Sequence, residues 1–248
     1  ISRTDFPKQF LDILNTGRTL IQATYDRFAK FIPAENIYVV TFEQYKDIVA
    51  LQLPQLPVEN ILCEPSRKNT APCVAYISYK LHQLNENANL ICAPSDHLIS
   101  DEIGFEKICT QALQFTDNIK ALVTLGIKPT HPNTGYGYIQ YEQQAVGNDV
   151  FKVKTFIASG DFLWNAGIFV WRVKSIIMAF EKHLPEIAEI FEAEKTNFNT
   201  AEEKTAIERI YPLCVNISID YGIMEKADNV YIIPSSFGWS DLGTWAST

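Results

Sequence analysis

The sequence lacks any apolar run close to the roughly 20 residues that a membrane-spanning helix needs, and it has no basic-then-apolar secretory leader. It also lacks an excess of positive charge, because 29 acidic residues outnumber 21 basic ones and the formal net charge is −8. Neutralising the phosphates of a nucleic acid requires a basic face, so this charge argues against a nucleic-acid-binding protein. A small phosphorylated ligand needs only a few local cations and stays open.

Cysteine motifs are absent as well. The five cysteines and four histidines show no CxxC pair and no spacing typical of a zinc site. We therefore expect unpaired, buried thiols in a reducing cytoplasm and no membrane partner. No Ser-His-Asp or Cys-His arrangement has a recognisable context. The first ten residues do not resemble a natural start, so we expect a longer reading frame around this chain.

The first half of the chain alternates between strand-like and helix-like patterns. These patterns predict strands over 37–40, 60–63, 89–93 and 119–127, and helices over 19–31, 42–51, 70–84 and 101–115. Continuous apolar strands are typical of a parallel sheet covered on both faces. The expected fold class is therefore α/β, with a mainly parallel sheet flanked by helices.

The second half is less regular. It predicts strands over 138–141, 151–156, 167–172 and 230–233, and helices over 173–194 and 200–210, the first interrupted by Pro185. No linker or repeat divides the 248 residues, which suffice for one large domain. One mixed α/β domain over 1–248 is the simplest interpretation, with the second half building a substrate lobe on the same sheet.

The segment 60–72 is the most informative part of the chain. A short apolar strand ends in a loop that carries Glu64, Arg67 and Asn69, and Thr70 can cap the helix that follows. Ligands of open α/β sheets bind at this end of a strand, and a helix N-terminus suits a phosphate. A nucleotide or sugar-phosphate site is one interpretation. A capped helix with a solvated loop is the other.

Two carboxylates follow predicted strands. Asp96 comes after the strand over 89–93, and Asp241 lies between Gly238 and Gly243 after the strand over 230–233. Two such carboxylates can share one Mg²⁺, which leaves its other positions to phosphates and water. Asp96 could instead help to start the next helix, although Ser100 and Asp101 are better placed as caps.

A hydroxyl-rich ligand is suggested by three further features. The glycine turn at 134–138 leads into a strand but lacks the terminal GK[ST] of a P-loop. Asn165 stands before Gly167, and an amide that both donates and accepts can bridge two sugar hydroxyls. Asp220 supplies one more carboxylate. A plain turn is the alternative interpretation of the glycine segment.

Five segments in this order resemble the sugar-nucleotide pyrophosphorylases, and within them the mannose-1-phosphate guanylyltransferases. They are Phe-Pro-Lys-Gln-Phe (6–10), Glu-Pro-Ser-Arg-Lys-Asn-Thr-Ala-Pro (64–72), Pro-Ser-Asp-His (94–97), Trp-Asn-Ala-Gly (164–167) and Gly-Trp-Ser-Asp (238–241). The resemblance covers essentially the whole chain. It implies a Rossmann-like fold, with a nucleotide-binding half over about 1–130 and a sugar-binding half over about 131–248. It also implies transfer of GMP from GTP to mannose 1-phosphate, giving GDP-mannose and pyrophosphate with Mg²⁺ as cofactor.

The resemblance further implies roles for individual residues. Lys8 and Arg3 would be catalytic, with Lys8 contacting phosphates, and Asp96 and Asp241 would hold the metal. The nucleotide would be bound by Glu64, Arg67, Asn69, Thr70, Ala71, Pro72, Ser95 and His97, and the sugar by Gly135, Tyr136, Asn165, Gly167 and Asp220.

Two family elements are missing from this sequence. A glycine-rich loop with a catalytic arginine should precede Ile1, and a Glu-Lys-Pro segment should separate Phe156 from Ser159. We expect both to belong to a longer protein and to be mobile without ligand, which predicts a chain break between Phe156 and Ile157. Their true deletion would favour a non-catalytic nucleotide-sugar sensor. Another nucleotide with another hexose 1-phosphate is the alternative within the class, and the sequence leaves a homodimer open.

Overall fold

A computed structural model describes residues 7–130, 136–157 and 162–242. The described residues fall into two compact units. Unit 1 comprises those within Ile1–Cys63, Ala93–Lys107 and Ser236–Thr248, and unit 2 comprises those within Glu64–Cys92 and Ile108–Ser235. Both units draw on the first and the second half of the sequence. The predicted nucleotide-binding and sugar-binding halves therefore stay a prediction about function.

Seven α-helices lie in the described residues, mostly where the apolar period predicts them. They are α1 (Leu20–Phe28), α2 (Lys46–Gln52), α3 (Thr70–Leu84), α4 (Glu102–Asn118), α5 (Val173–His183), α6 (Pro185–Ala193) and α7 (Glu203–Ile210). Thr19 and Gln22 form a reciprocal capping box that starts α1. Pro185 opens α6, where its missing N–H costs nothing, and so divides the long predicted helix.

Ten strands make up three sheets in the described residues. They are β1 (Val39–Phe42), β2 (Ile61–Glu64), β3 (Asn89–Cys92), β4 (Leu98–Ile99), β5 (Leu122–Ile127), β6 (Tyr138–Gly147), β7 (Val150–Ile157), β8 (Leu163–Arg172), β9 (Val230–Ser235) and β10 (Trp239–Ser240). Six of them form the main sheet of unit 2 in the order β3-β8-β5-β9-β7-β6. The α/β class is confirmed, and the sheet is mixed.

The strands of this sheet do not all run in the same direction. β5 and β9 are parallel neighbours, whereas β8 runs antiparallel between β3 and β5. It follows that β3, β5 and β9 share one direction and end at the same edge of the sheet. The chain passes from unit 2 into unit 1 after β3 and again after β9.

The short strands β4 and β10 pair with each other in unit 1. Trp239 stands opposite Ile99, and the Ser100 amide donates to the Gly238 carbonyl at 3.1 Å. Gly238 has φ +65°, and a Cβ there would lie 1.8 Å from the Ser100 hydroxyl, so the ladder requires glycine. Asp241 therefore follows β10 directly, and the sequence prediction that it follows the main-sheet strand directly is wrong.

Apolar packing supports each unit separately. Unit 1 has a cluster of buried side chains formed by Phe10, Ile21, Tyr25, Val49, Leu53, Leu56 and Ile61. In unit 2, β5 is buried along its whole length between β8 and β9. None of the five cysteines forms a disulfide in the described ranges; Cys109 and Cys214 are buried as predicted, whereas Cys63, Cys73 and Cys92 are only partly buried. Among the helices of the described ranges, none is long and apolar enough to cross a membrane.

The strand β7 passes without interruption through Phe156 and Ile157. Both residues pair with the start of β6, Phe156 opposite Ile139 and Ile157 opposite Tyr138. This ladder holds the two residues in one continuous strand. The predicted break between them is therefore wrong.

Candidate active site

Lys8 is the centre of a charged cluster in unit 1. It begins a short 3₁₀ turn, and its Nζ lies 3.2 Å from Asp96 Oδ2 and donates to the backbone carbonyl oxygen of Asp241. The Lys8 side chain is 15% exposed and that of Asp96 26%. The structure thus brings together the three residues predicted for phosphate and metal chemistry, with Asp241 held through its backbone.

His97 adds a neutral imidazole to this cluster. Trp239 Nε1–H donates to His97 Nδ1 at 3.1 Å, and the two rings meet edge to face with centroids 5.3 Å apart. Because Nδ1 accepts, the ring proton belongs on Nε2, which lies 3.8 Å from Asp96 Oδ1. Burial lowers the pKa of His97 most, although the Asp96 carboxylate opposes that effect. The sequence gives no reason to select Trp239 as the partner of His97.

Helix α1 supports the loop that carries Asp96. The Thr24 hydroxyl donates to the Ser95 carbonyl at 3.3 Å, which fastens this loop to the buried face of the helix. Asp101 accepts from the Gly104 amide at 2.9 Å and caps α4, as the sequence predicts. Asp96 is therefore not needed to start the helix.

In unit 2, the residue that caps the N-terminus of α3 differs from the predicted one. Asn69 has φ +66°, and its side chain accepts from the Thr70 amide at 2.9 Å, so Asn69 is the N-cap of α3. The prediction that Thr70 caps the helix is wrong, because Thr70 is the first residue of the helix and the Asn69 side chain already accepts from its amide. Thr70 Oγ1 instead accepts from the Ile219 amide at 2.9 Å. Ala71 donates to the Ile217 carbonyl at 3.1 Å.

Two further residues predicted to bind the nucleotide lie near the start of α3, Pro72 and Arg67. Pro72 lies in the first turn of α3, where a backbone N–H is not needed for the helix. Arg67 is exposed to solvent. The first residues of α3 thus contact the polar loop through Asn69 and the chain around 217–219 through Thr70 and Ala71.

Glu64 is engaged by a residue that the sequence gives no reason to select. The buried Tyr211 hydroxyl donates to Glu64 Oε1, across 147 positions of chain. Burial raises the pKa of Glu64, and the tyrosine hydrogen bond offsets part of that rise. Burial and the nearby Glu64 charge also raise the pKa of Tyr211. Glu64 thus shares a buried hydrogen bond instead of standing free in the loop.

Asn165 lies at the centre of a second polar group in unit 2. Its Oδ1 accepts from Thr124 Oγ1 at 2.9 Å and from the Gly167 amide at 3.1 Å, and its Nδ2 donates to Asp220 Oδ1 at 2.6 Å. Gly167 has φ +66°, which glycine adopts without strain. Burial raises the pKa of Asp220, and the Asn165 hydrogen bond lowers it in part. The sequence does not single out Thr124.

An aromatic pair borders this group. The ring centroids of Tyr136 and Trp164 are 4.8 Å apart. The backbone N–H of Asn165 donates to the Gly137 carbonyl at 2.9 Å. Tyr136, Asn165, Gly167 and Asp220 therefore belong to one region of unit 2. Arg3 and Gly135 lie outside the described residues.

The two residues predicted to bind the metal, Asp96 and Asp241, both contact Lys8. Across the residues that the structure describes, no three His, Cys, Asp or Glu side chains come together as a complete metal-binding group. Mg²⁺ usually takes one or two protein carboxylates and completes its shell with phosphates and water. A pair of aspartates is a suitable donor set for that ion.

Comparisons with known proteins match the whole chain. The family model described as nucleotidyl transferase matches residues 1–248. The chain is 35% identical to mannose-1-phosphate guanylyltransferase RfbM of Salmonella typhimurium and 34% identical to xanthan biosynthesis protein XanB of Xanthomonas campestris. All of this chain aligns in both cases, but it spans only 54% and 55% of those relatives, about half of their length.

A solved structure agrees with these matches. The fold is similar to a protein of Thermus thermophilus described as mannose-1-phosphate geranyltransferase, with a TM-score of 0.86 and 26% identity. The similarity covers 98% of this chain and 71% of the other. The segments predicted to bind nucleotide and sugar thus lie in a chain that aligns over almost its whole length.

Proposed function

The chain belongs to the nucleotidyl transferase family, and from this premise we propose that it transfers GMP from GTP to mannose 1-phosphate, giving GDP-mannose and pyrophosphate. The name of the Salmonella relative supports this choice of substrates. The segments 64–72 and 94–97, which resemble the guanylyl branch, also support it. Because the chain spans about half of each relative, the proposal concerns the full-length protein.

The observation that carries the proposal is the contact of Lys8 with both predicted metal-binding aspartates. In the proposed reaction, an oxygen of mannose 1-phosphate forms a bond to the α-phosphorus of GTP, and the bond from that phosphorus to the bridging oxygen of pyrophosphate breaks. The protein supplies no covalent intermediate. Lys8 neutralises charge on the phosphates, and the fixed position of its ammonium group means that little reorganisation is needed.

We assign Asp96 and Asp241 to a divalent cation, with Mg²⁺ as the specific proposal. Two carboxylates suit a hard cation, and Lys8 already compensates the Asp96 charge in the structure. When bound, the cation would neutralise phosphate charge. Burial lowers the pKa of His97, and its Nδ1 accepts from Trp239, so its Nε2–H faces Asp96 Oδ1 across 3.8 Å.

The remaining predicted contacts are kept as parts of the proposal. The nucleotide contacts are Glu64, Arg67, Asn69, Thr70, Ala71, Pro72, Ser95 and His97, and the sugar contacts include Tyr136, Asn165, Gly167 and Asp220. Since the Tyr211 hydroxyl holds Glu64, we propose that Glu64 shapes the loop as well as contacting the nucleotide. The free cysteines support a reducing, cytoplasmic location, and a homodimer stays a prediction.

Pyrophosphate release from the full-length protein tests the function. We expect GTP to be preferred over ATP, UTP and dTTP by on the order of 10²-fold in kcat/KM, because polar groups arranged for guanine are left unpaired by other bases. Mannose 1-phosphate should be preferred over glucose 1-phosphate. The Lys8→Met variant should lose about 10²-fold or more in turnover. Lys174→Met, which removes an exposed lysine paired with Glu86, should match wild type.

Two results would replace the proposal. Equal turnover with UTP or dTTP would favour the alternative nucleotide and hexose phosphate. Binding of GTP without turnover of any sugar phosphate would favour the non-catalytic sensor, an alternative raised by the missing Glu-Lys-Pro segment after Phe156.

A further inference from the structure

The orientation of the Asn165 amide is determined by its neighbours. The Gly167 backbone N–H, 3.1 Å away, can only donate, so the atom that it faces is the amide oxygen. The other end of the amide therefore carries the two N–H groups, and one of them meets Asp220 Oδ1 at 2.6 Å. The arrangement leaves no ambiguity between the oxygen and the nitrogen.

Thr124 supplies the second hydrogen bond to that oxygen. Its side chain is completely buried in β5, and its Oγ1 lies 2.9 Å from Asn165 Oδ1 but 3.4 Å from the Ile168 carbonyl. The single hydroxyl proton is therefore best used toward Asn165. The β5–β8 ladder changes register between Thr124 and Gly126, and this irregularity brings the Asn165 side chain to Thr124.

These contacts limit what Asn165 can offer to a ligand. Two donors occupy its oxygen, so with respect to the described residues one N–H of the amide remains, and Asp220 keeps a second carboxylate oxygen that can accept. A ligand hydroxyl can accept from that N–H and donate to the Asp220 carboxylate. The sequence prediction that the Asn165 amide both donates to and accepts from the ligand is therefore replaced by a division of roles between the two residues.

We propose that Thr124 is a positioning residue for the sugar, which holds the Asn165 amide so that Asn165 donates and Asp220 accepts at one hydroxyl of the hexose. This inference rests on the proposed function. Thr124 itself does not touch the ligand, because its hydroxyl proton is used within the protein. Its loss should weaken the binding of the hexose phosphate and leave the nucleotide unaffected.

Steady-state kinetics of the full-length protein test this inference. Thr124→Val keeps the shape but removes the hydroxyl, and we expect the KM for mannose 1-phosphate to rise about tenfold, while the KM for GTP and kcat stay within twofold. Thr124→Ser restores the hydroxyl and should recover the wild-type KM. Thr155→Val, the same change at an exposed position of β7, is the matched control. Thr124→Cys, whose thiol is a weak donor, replaces Thr124→Val if the valine variant does not fold.

A KM for mannose 1-phosphate within twofold of wild type in the hydroxyl-free variant would overturn the inference. Equal increases in the KM of GTP and of mannose 1-phosphate, or a serine variant that fails to recover, would also overturn it, because they indicate general damage. If the wild type uses another hexose 1-phosphate instead, the proposed function fails, and the same comparison with that sugar decides the role of Thr124. No turnover with any sugar phosphate would overturn both.

Discussion

Lys8 contacts the two aspartates of the proposed metal site through different atoms, so only one of the two side chains contributes to stability through Lys8. Lys8 contacts the Asp96 carboxylate at 3.2 Å but the Asp241 backbone carbonyl. Asp96→Asn removes the charge that Lys8 faces. Asp241→Asn leaves the carbonyl, and therefore the Lys8 hydrogen bond, in place.

The size of the difference follows from the geometry. Two unit charges 3.2 Å apart attract by about 5 kcal/mol at an effective dielectric constant of about 20 and by about 1 kcal/mol in water. Desolvation offsets much of the larger value for this partly buried pair. We expect Asp96→Asn to lower the free energy of unfolding by about 1–2 kcal/mol, which corresponds to about 2–8 °C in Tm for a chain of this size. In Asp241→Asn the Lys8 contact is kept, because its acceptor there is the backbone carbonyl.

Thermal unfolding without ligand, combined with pyrophosphate release, measures both effects. Both variants should lose about 10²-fold or more in turnover, because each removes a charged oxygen from the proposed metal site. Asp228→Asn is the control, since Asp228 also pairs with a lysine at 3.2 Å but on an exposed surface. It should leave turnover unchanged and Tm almost unchanged.

Two outcomes would refute this reasoning. If Asp96→Asn leaves the Tm unchanged, the Lys8–Asp96 pair does not stabilise the fold. If Asp241→Asn keeps near-full turnover at low Mg²⁺, Asp241 is not a metal ligand.

Three further predictions concern the metal and Glu64. Chelation should abolish turnover and added Mg²⁺ should restore it; turnover that persists in excess chelator would exclude the metal assignment. Tyr211→Phe should lower the free energy of unfolding by about 1–3 kcal/mol in urea titrations, because Glu64 loses its buried donor, and an unchanged midpoint would contradict this. Burial raises the pKa of Glu64 in the folded protein above its unfolded value of 4.5, so the folded state holds this proton more tightly. The resulting contribution to the free energy of unfolding is fully present below pH 4.5 and is lost as the pH rises through the folded pKa. Glu64→Gln should therefore gain stability relative to wild type as pH rises from 4 to 8, and a relative loss would show that the sign is wrong.

Local features of the chain were largely predictable from sequence. The helix α3 has the predicted bounds because its apolar period and its polar start lie within one segment. Pro185 divides α5 from α6 through a constraint on its own backbone. Asp96 and Asp241 could be proposed as a metal-binding pair from their positions after predicted strands, whereas Lys8 could be added only through the resemblance to a known family.

The direction of β8 and the existence of β4 and β10 could not be predicted. A buried strand is apolar on both faces whichever way it runs, so the pattern of β8 does not reveal that it is antiparallel to β5. The strands β4 and β10 have two residues each, too few for any period. Only their pairing with each other defines them.

The hydrogen bonds that orient the candidate site depend on the tertiary structure alone. Tyr211 reaches Glu64 across 147 positions, and Trp239 reaches His97 across 142. Thr124 reaches Asn165 across 41, where the ladder changes register. Hydrophobic period and capping act within a few residues and therefore determine helices, strands and turns. Which buried donor meets which acceptor depends on how those elements pack, because a polar group removed from water must find its partner wherever the fold places one.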